Sequence, residues 1–310
     1  MSPATRAYIG LSCTTLVWAG AFIAGKVVTA EITPLAASGL RHLFAALILL
    51  PFAWRVRRAA NLRAALPSLI VMTLCGGVLY QWAFMGAVRG TSATNAALLV
   101  ALNPAITVLA APLVGEALTR RRLVGVLLAF AGAIVVITHG DLAELAGLVE
   151  IRTGDLLAIA AAALWATFNL AARGAVRHVP LSMANAVVLG AGSAILLALA
   201  LPDAPFAQLQ AATPGVWAAL GFLVLFASVL AGQLFLFGVH TVGVGHTVVF
   251  VYLVPVLTAV LSALTLGEPL LPSQVLGGAL VLLGVWVTTR TPARAASPLP
   301  TDGVAAKTPH

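Results

Sequence analysis

Charge is what this sequence has least of. Its 310 residues include 17 Lys and Arg and 9 Asp and Glu, 8% in all, where soluble domains run at about a quarter. So few ionisable groups cannot solvate a surface of this size, which excludes an ordinary soluble domain. Cysteine is nearly missing: Cys13 and Cys75 both lie inside apolar runs without Cys-x-x-Cys spacing. Neither a disulfide framework nor a thiolate metal site is indicated. No acidic residue lies in the middle third of any apolar run, so the usual carboxylate that carries protons or coordinates sodium is absent. There is no phosphate-binding Gly-Lys-Ser/Thr loop, no His-Glu-x-x-His and no aspartate-rich pair for magnesium. ATP coupling within this chain is excluded, intramembrane metal hydrolysis is disfavoured, and no cofactor or metal is expected.

What the chain does have is apolar surface, 61% of its residues. Ten runs separate at charged, Pro-rich or Gly-rich breaks: 5–29, 35–53, 66–88, 92–114, 121–138, 155–176, 182–201, 215–239, 245–266 and 272–289. Each is about long enough to span a bilayer as a helix. Barrel alternation is absent, and lipid leaves no water for an unpaired backbone, so the expected class is an all-α membrane protein. The first run has a signal-peptide look, with Arg6 ahead of Ala19-Gly20-Ala21. It is kept as a span because its Trp18 and Lys26 have counterparts in the second half. The net charge of +8 comes from arginines set singly or in short clusters between apolar runs, which is membrane topology and not a nucleic-acid footprint. With the N-terminus inside, only Lys26, Arg41, Arg89 and Arg152 of the 17 cations fall outside, so both termini are expected in the cytoplasm.

An internal repeat organises the ten runs. Trp18 and Lys26 match Trp165 and Arg173 at an offset of 147. Pro34-Leu35 matches Pro180-Leu181, and at an offset of 152 Gln81, Gly86, Gly115-Glu116, Gly125 and Gly132 match Gln233, Gly238, Gly267-Glu268, Gly277 and Gly284. Pro104 matches Pro255 in the same order. Five spans per unit is an odd number of crossings, which inverts the second unit relative to the first. The expected organisation is 1–138 as the first five-helix repeat, 139–153 as a connecting loop, 154–290 as the inverted second repeat, and 291–310 as a disordered cytoplasmic tail.

The polar and aromatic residues inside the spans carry the functional expectations. Trp18, Phe22 and Lys26 form one helical row, and Trp165, Asn169 and Arg173 the matching one. The two tryptophans sit near mid-span, so they either wall a central cavity or fill a helix contact. Lys26 and Arg173 lie near span ends, where snorkelling suffices. Gln81 (beside Tyr80 and Phe84) and Gln233 (beside Phe237) need polar partners in hydrocarbon, from a solute or from a neighbouring helix. Asn95 and His246 share a repeat position, and His246 either meets a carboxylate, relays a proton or starts its helix. Pro104 and Pro255 each remove a mid-span donor, giving hinges or static bends. Glu116 has Arg120, Arg121 and Arg122 nearby for a local ion pair. The seven-residue spacing of Gly125 to Gly132 and of Gly277 to Gly284 suits close helix approach.

This combination resembles the drug/metabolite transporter superfamily, EamA type: ten spans in two units, a Trp and a cation in the first helix of each, and a Pro to Gly-Glu stretch closing the fourth of each. The similarity runs from about Tyr8 to Arg290 and is densest over Asn95 to Glu116, with Asn103-Pro104, and over His246 to Glu268. Within that family the chain is similar to amino-acid exporters of the YddG type. The resemblance implies a basket in which the third, fourth, eighth and ninth spans surround a cavity. Its implied lining is Tyr80, Gln81, Phe84, Asn95, Leu99, Asn103, Gln233, Phe237, His246, Phe250 and Tyr252. The related small multidrug resistance proteins use a first-helix glutamate; here no acid precedes Glu31, which argues against proton-coupled cation efflux. The expected activity is alternating-access export of small metabolites, foremost amino acids including aromatic ones, across a bacterial inner membrane. Other small solutes (nucleosides, sugars, amphipathic drugs) are the alternative, and a membrane-embedded enzyme a remote one. The expected partners are the small-molecule substrate and the lipid bilayer, with no nucleic acid and a monomer as the working expectation.

Overall fold

The computed structural model describes residues 1–57, 60–110, 112, 118–140, 152–175, 177–242 and 250–289. Among them the regular structure is helical, with no strand. Ten helical stretches follow the ten apolar runs: α1 (Pro3–Glu31), α2 (Pro34–Val56), α3 (Leu62–Gly90), α4 (Ala93–Leu109), α5 (Arg120–Ile137), α6 (Thr153–Ala175), α7 (Leu181–Leu199), α8 (214–242), α9 (Leu253–Thr265) and α10 (Pro272–Thr289). Six of these, α1, α2, α3, α6, α7 and α8, contain stretches long and apolar enough to cross a membrane, and α4, α9 and α10 are shorter apolar helices. His246, Glu116 and the 291–310 tail lie outside the described residues, as does most of the expected 139–153 connection.

Local chemistry sets the helix starts. Ser2, Asn61, Ser92 and Thr119 each accept a hydrogen bond from the backbone N–H three residues on, at 3.0 to 3.3 Å. These bonds satisfy first-turn donors that have no partner within the helix. Pro3, Pro34 and Pro214 occupy the first turn of α1, α2 and α8, where the missing N–H costs nothing. Glu31, at the end of α1, accepts from the Thr213 N–H and hydroxyl at 2.8 and 2.7 Å, so one helix end caps the start of another.

Two kinds of irregularity interrupt the spans at repeat-matched places. π-helical turns occupy Thr73–Leu79 within α3 and Leu223–Leu230 within α8. Turn residues Ala101 and Leu102 divide α4, just before Asn103-Pro104, and Tyr252 breaks the helix ahead of Pro255. The bends expected at these prolines thus fall two to three residues before the rings.

Helices pair across the two halves of the chain: α5 along α10, α2 along α7, α1 on α8 and α3 on α6. The α5–α10 crossing is the tightest. A Cβ added at Gly132 would lie 2.5 Å from the Gly277 carbonyl oxygen, and one at Gly125 2.7 Å from that of Gly284. Only glycine allows backbones that close. The connections gather at two ends. At one, called the Glu31 end, Thr33 bonds Asp203 and Gln208, and the Ala93 N–H at the start of α4 donates to Glu268. At the other, the Asn61 N–H donates to the His178 carbonyl at 2.9 Å. The main core fills the space between, with Phe22, Phe84, Met85, Leu99, Leu102 and Leu223 all buried.

Candidate functional site

An arginine stands at the centre of the polar interior. Arg41, in α2, is 8% exposed. Its Nε donates to the Ser228 hydroxyl at 2.8 Å and its Nη1 to the Gln81 Oε1 at 3.3 Å. Ser228 in turn donates to the Leu223 carbonyl, five residues back, as the wider π turn allows. Ser38, one turn before Arg41, donates to the Gln81 backbone carbonyl at 3.0 Å. His42 is buried, hydrogen-bonds the Gly77 backbone inside the α3 π turn, and leaves its Nδ1 without a partner. Three helices, α2, α3 and α8, are therefore tied together by neutral groups around one guanidinium. Arg41 was counted with Lys26, Arg89 and Arg152 as a mark of the non-cytoplasmic side; its side chain turns into the bundle.

Aromatic rings continue this interior. Tyr80, the neighbour of Gln81, is within electrostatic reach of Arg41, and its ring centroid is 4.8 Å from that of Trp165 and 5.9 Å from that of Phe84. Trp165 stacks on Phe168 at 4.8 Å, and Phe84 meets Phe22 edge-on at 5.1 Å. Trp18, the repeat partner of Trp165, packs on Phe235 of α8 at 5.3 Å. Both tryptophans remain half-buried.

A second polar cluster closes the Glu31 end. Lys26 makes an ion pair with Glu268 and donates to the Thr91 carbonyl at 2.9 Å. The other oxygen of Glu268 accepts from the Ala93 N–H at 2.9 Å and from the Ser262 hydroxyl. Burial works to raise the Glu268 pKa; the bonds from Lys26 and Ser262, the Lys26 charge and the Ala93 N–H outweigh it and hold the carboxyl below the usual range. Lys26 is thus held in an ion pair, not left to snorkel. Glu268 reaches across 242 residues to hold it. Next to the pair lies a pocket of about 400 Å3 lined in part by Arg89, Asn95, Arg152 and Gln274.

The implied lining residues divide accordingly. Tyr80, Gln81, Phe84 and Trp165 come together. Asn95 is 1% exposed at the Glu31 end, where its Oδ1 accepts from Gln274 at 2.7 Å and its Nδ2 faces Asp155 at 3.5 Å. Leu99 is fully buried in the apolar core. Asn103 accepts from the Thr107 hydroxyl within α4. Phe250 stacks on Tyr8 at 6.0 Å, its carbonyl accepting from Thr15, and Tyr252 is half-buried at the α9 break. Gln233 and Phe237 are exposed on α8, so Gln233 does not share the buried environment of its partner Gln81. Arg41, His42, Ser228 and the Lys26–Glu268 pair were not anticipated as site residues. A charged Arg-His pair within an apolar run was the available sign of the first two.

The EamA-like transporter family pattern matches residues 5–138 and again 152–290. The chain belongs to the EamA-like transporter family. It is therefore a multi-pass integral membrane protein from a family of transporters. Its relatives include the uncharacterized transporter YyaM of Bacillus subtilis, 33% identical, covering 77% of this chain and 78% of that one. An uncharacterized transporter of Archaeoglobus fulgidus is 29% identical over 92% of this chain and 98% of its own. A probable terminal-alkyne amino-acid exporter of Streptantibioticus cattleyicolor is 28% identical over 92% of this chain and 94% of its own. A solved crystal structure with 20% identity superposes with a TM-score of 0.60, covering 93% of this chain and 97% of that one, and supports the fold.

Proposed function

We propose that this chain is a secondary transporter that exports small metabolites, foremost amino acids including aromatic ones, by alternating access. In this reading 1–138 and 154–290 are inverted five-helix units that rock about a shared site, both termini are cytoplasmic, and the membrane is a bacterial inner membrane. The observation that carries it is the reciprocity of the packing. Exchanging helices one to five with six to ten turns the α1–α8 contact into α6–α3 and maps α2–α7 and α5–α10 onto themselves. Two units related in this way have two near-equivalent arrangements, which is what alternating access requires. The α4 break before Pro104 and the α9 break before Pro255 supply hinge points at matched positions.

In this reading the Lys26–Glu268 ion pair gates the Glu31 end. Export needs that pair to open while the opposite end closes. Amide, hydroxyl and aromatic groups around Gln81, Tyr80 and Trp165 suit the polar and apolar parts of a small metabolite, and the probable amino-acid exporter among the relatives favours amino acids. Without an embedded carboxylate, the solute gradient drives net export or exchange, with His246 as a candidate for proton involvement.

The test has two arms. Single cysteines just after Glu116 and just after Glu268 should label from opposite sides of the membrane; labelling from one side would sink the inverted arrangement. In proteoliposomes, a panel of labelled amino acids, nucleosides, sugars and cationic drugs is assayed with and without a pH gradient. Amino-acid flux that survives collapse of the gradient is expected, and flux of another solute class alone would favour the alternative substrates.

A further inference from the structure

Arg41 is the eighth residue of α2, about 10 Å along the helix from its start. A cation at that depth usually lowers its cost by turning back to the headgroups. This one does the opposite: its Nε bonds Ser228, the middle residue of the 214–242 helix. A guanidinium has five N–H donors. Ser228 and Gln81 take two, and among the described residues no acceptor is found for the other three in a residue that is 8% exposed. The ion pair found among the described residues is Lys26–Glu268, so no carboxylate neutralises Arg41 there. An uncompensated cation in the interior costs several kcal/mol. Tying α3 to α8 needs two hydrogen bonds and no charge, which a glutamine supplies without that cost.

Three further observations say what the charge is for. Both of its partners sit in or next to a π turn, Ser228 within Leu223–Leu230 and Gln81 two residues after Leu79, a form of helix frequent at functional sites. An aromatic row of Phe84, Tyr80, Trp165 and Phe168 passes through Tyr80, which is within electrostatic reach of Arg41. Finally, the repeat counterpart of Arg41, aligning Pro34 with Pro180, is Val187, so the charge belongs to one half only. A solute with a single carboxylate and an apolar body is asymmetric in the same sense.

On the transport reading above, we propose that Arg41 binds the substrate carboxylate, with Gln81 and Ser228 holding its guanidinium in place and the aromatic row receiving the side chain. Substrates are then carboxylates with a large apolar or aromatic group, α-amino acids among them. The corresponding amines, nucleosides and neutral sugars are rejected. A phosphate-bearing solute brings a second negative charge, for which no second cation stands beside Arg41 among the described residues.

The experiment is counterflow of radiolabelled phenylalanine in proteoliposomes, challenged with phenylalanine, phenylpropanoate and phenethylamine, which keep or remove the carboxylate and the ammonium in turn. Phenylpropanoate should compete, and phenethylamine should compete at least about tenfold more weakly, the size expected for losing a charge-assisted bidentate contact. Arg41→Gln should lower phenylalanine flux by about tenfold or more, and Arg41→Lys should retain part of it. Equal competition by phenethylamine, or wild-type flux in a monodisperse Arg41→Gln, would falsify the assignment. If the variant does not fold, the competition on the wild-type protein decides alone. Flux of a carboxylate-free solute without flux of any carboxylate overturns the anchor and leaves transport standing, whereas absence of flux for every solute on the panel overturns both.

Discussion

The α5–α10 crossing and the polar interior around α2 treat the same duplication in opposite ways. At the crossing, Gly125 faces Gly284 and Gly132 faces Gly277, and each pair becomes the other when the two units are exchanged. Around α2 the matching fails: Arg41 and His42 stand where α7 has Val187 and Val188, and Gln81 is buried where Gln233 is exposed. Backbones at van der Waals contact admit one residue type, so both copies carry it. A binding site follows its solute, and a small metabolite has no two-fold axis. On the transport reading proposed above, symmetry marks the scaffold of this molecule, and departure from symmetry marks the residues that meet the solute.

The strongest way to break this division is at the crossing. Leucine at Gly284 would place its Cβ 2.3 Å from the Ala129 nitrogen, a backbone clash beyond the usual overpacking cost of about 1–3 kcal/mol. Gly284→Leu should lose monodisperse protein in detergent, whereas Gly221→Leu, with nothing within 4 Å of its Cβ, should not. A smaller loss is expected at the Glu31 end. Lys26→Met and Glu268→Gln each leave a partly buried partner unpaired; with side chains 31% and 16% exposed, about 1–3 kcal/mol is expected, less than for a fully buried pair. The double variant should cost less than the two singles together, by denaturant titration. If the costs simply add, Lys26 and Glu268 are not coupled.

Transport should separate the two glutamines by less again in energy, but clearly in rate. Gln81→Leu removes an acceptor of Arg41 and should lower flux about tenfold; Gln233→Leu should stay within about twofold. Equal losses would mean that the repeat-matched positions work as a pair after all. The smallest effect is one of pH. Because the folded-state pKa of Glu268 lies below that of the unfolded chain, its stabilising contribution is complete above the unfolded value and is lost as pH falls through the folded one. Between about pH 5 and 8 the melting of Glu268→Gln relative to wild type should therefore stay constant, and only more acid conditions should narrow the gap.

Much of this was legible before any coordinates. Apolar runs of about 20 residues have one stable form in lipid, so most of the described helix ends could be placed to within a few residues. The glycine spacing was readable because it repeats along a single helix. Arg41 was visible as a charge within an apolar run, yet it was counted with the residues that mark sidedness, because nothing local says which way a long side chain turns. Asn95 was assigned to the central cavity on a resemblance; it borders the pocket at the Glu31 end, and its partners, Gln274 and Asp155, come from two other helices. Gln233 was read like Gln81 as an amide in hydrocarbon needing a partner, yet it is exposed where Gln81 is buried, because a repeat transmits residue type and not neighbours.

Composition and spacing by themselves determined a helical membrane protein in two like halves, since the cost of unpaired backbone in hydrocarbon depends only on the chain's own hydrogen bonds and apolar length. The pairing of Arg41 with Ser228 across 187 residues, and of Lys26 with Glu268 across 242, was decided by tertiary structure alone. A charge in a low-dielectric interior takes whichever partner the packing brings within 3 Å, and that choice is made by the helices around it and not by its neighbours in the chain.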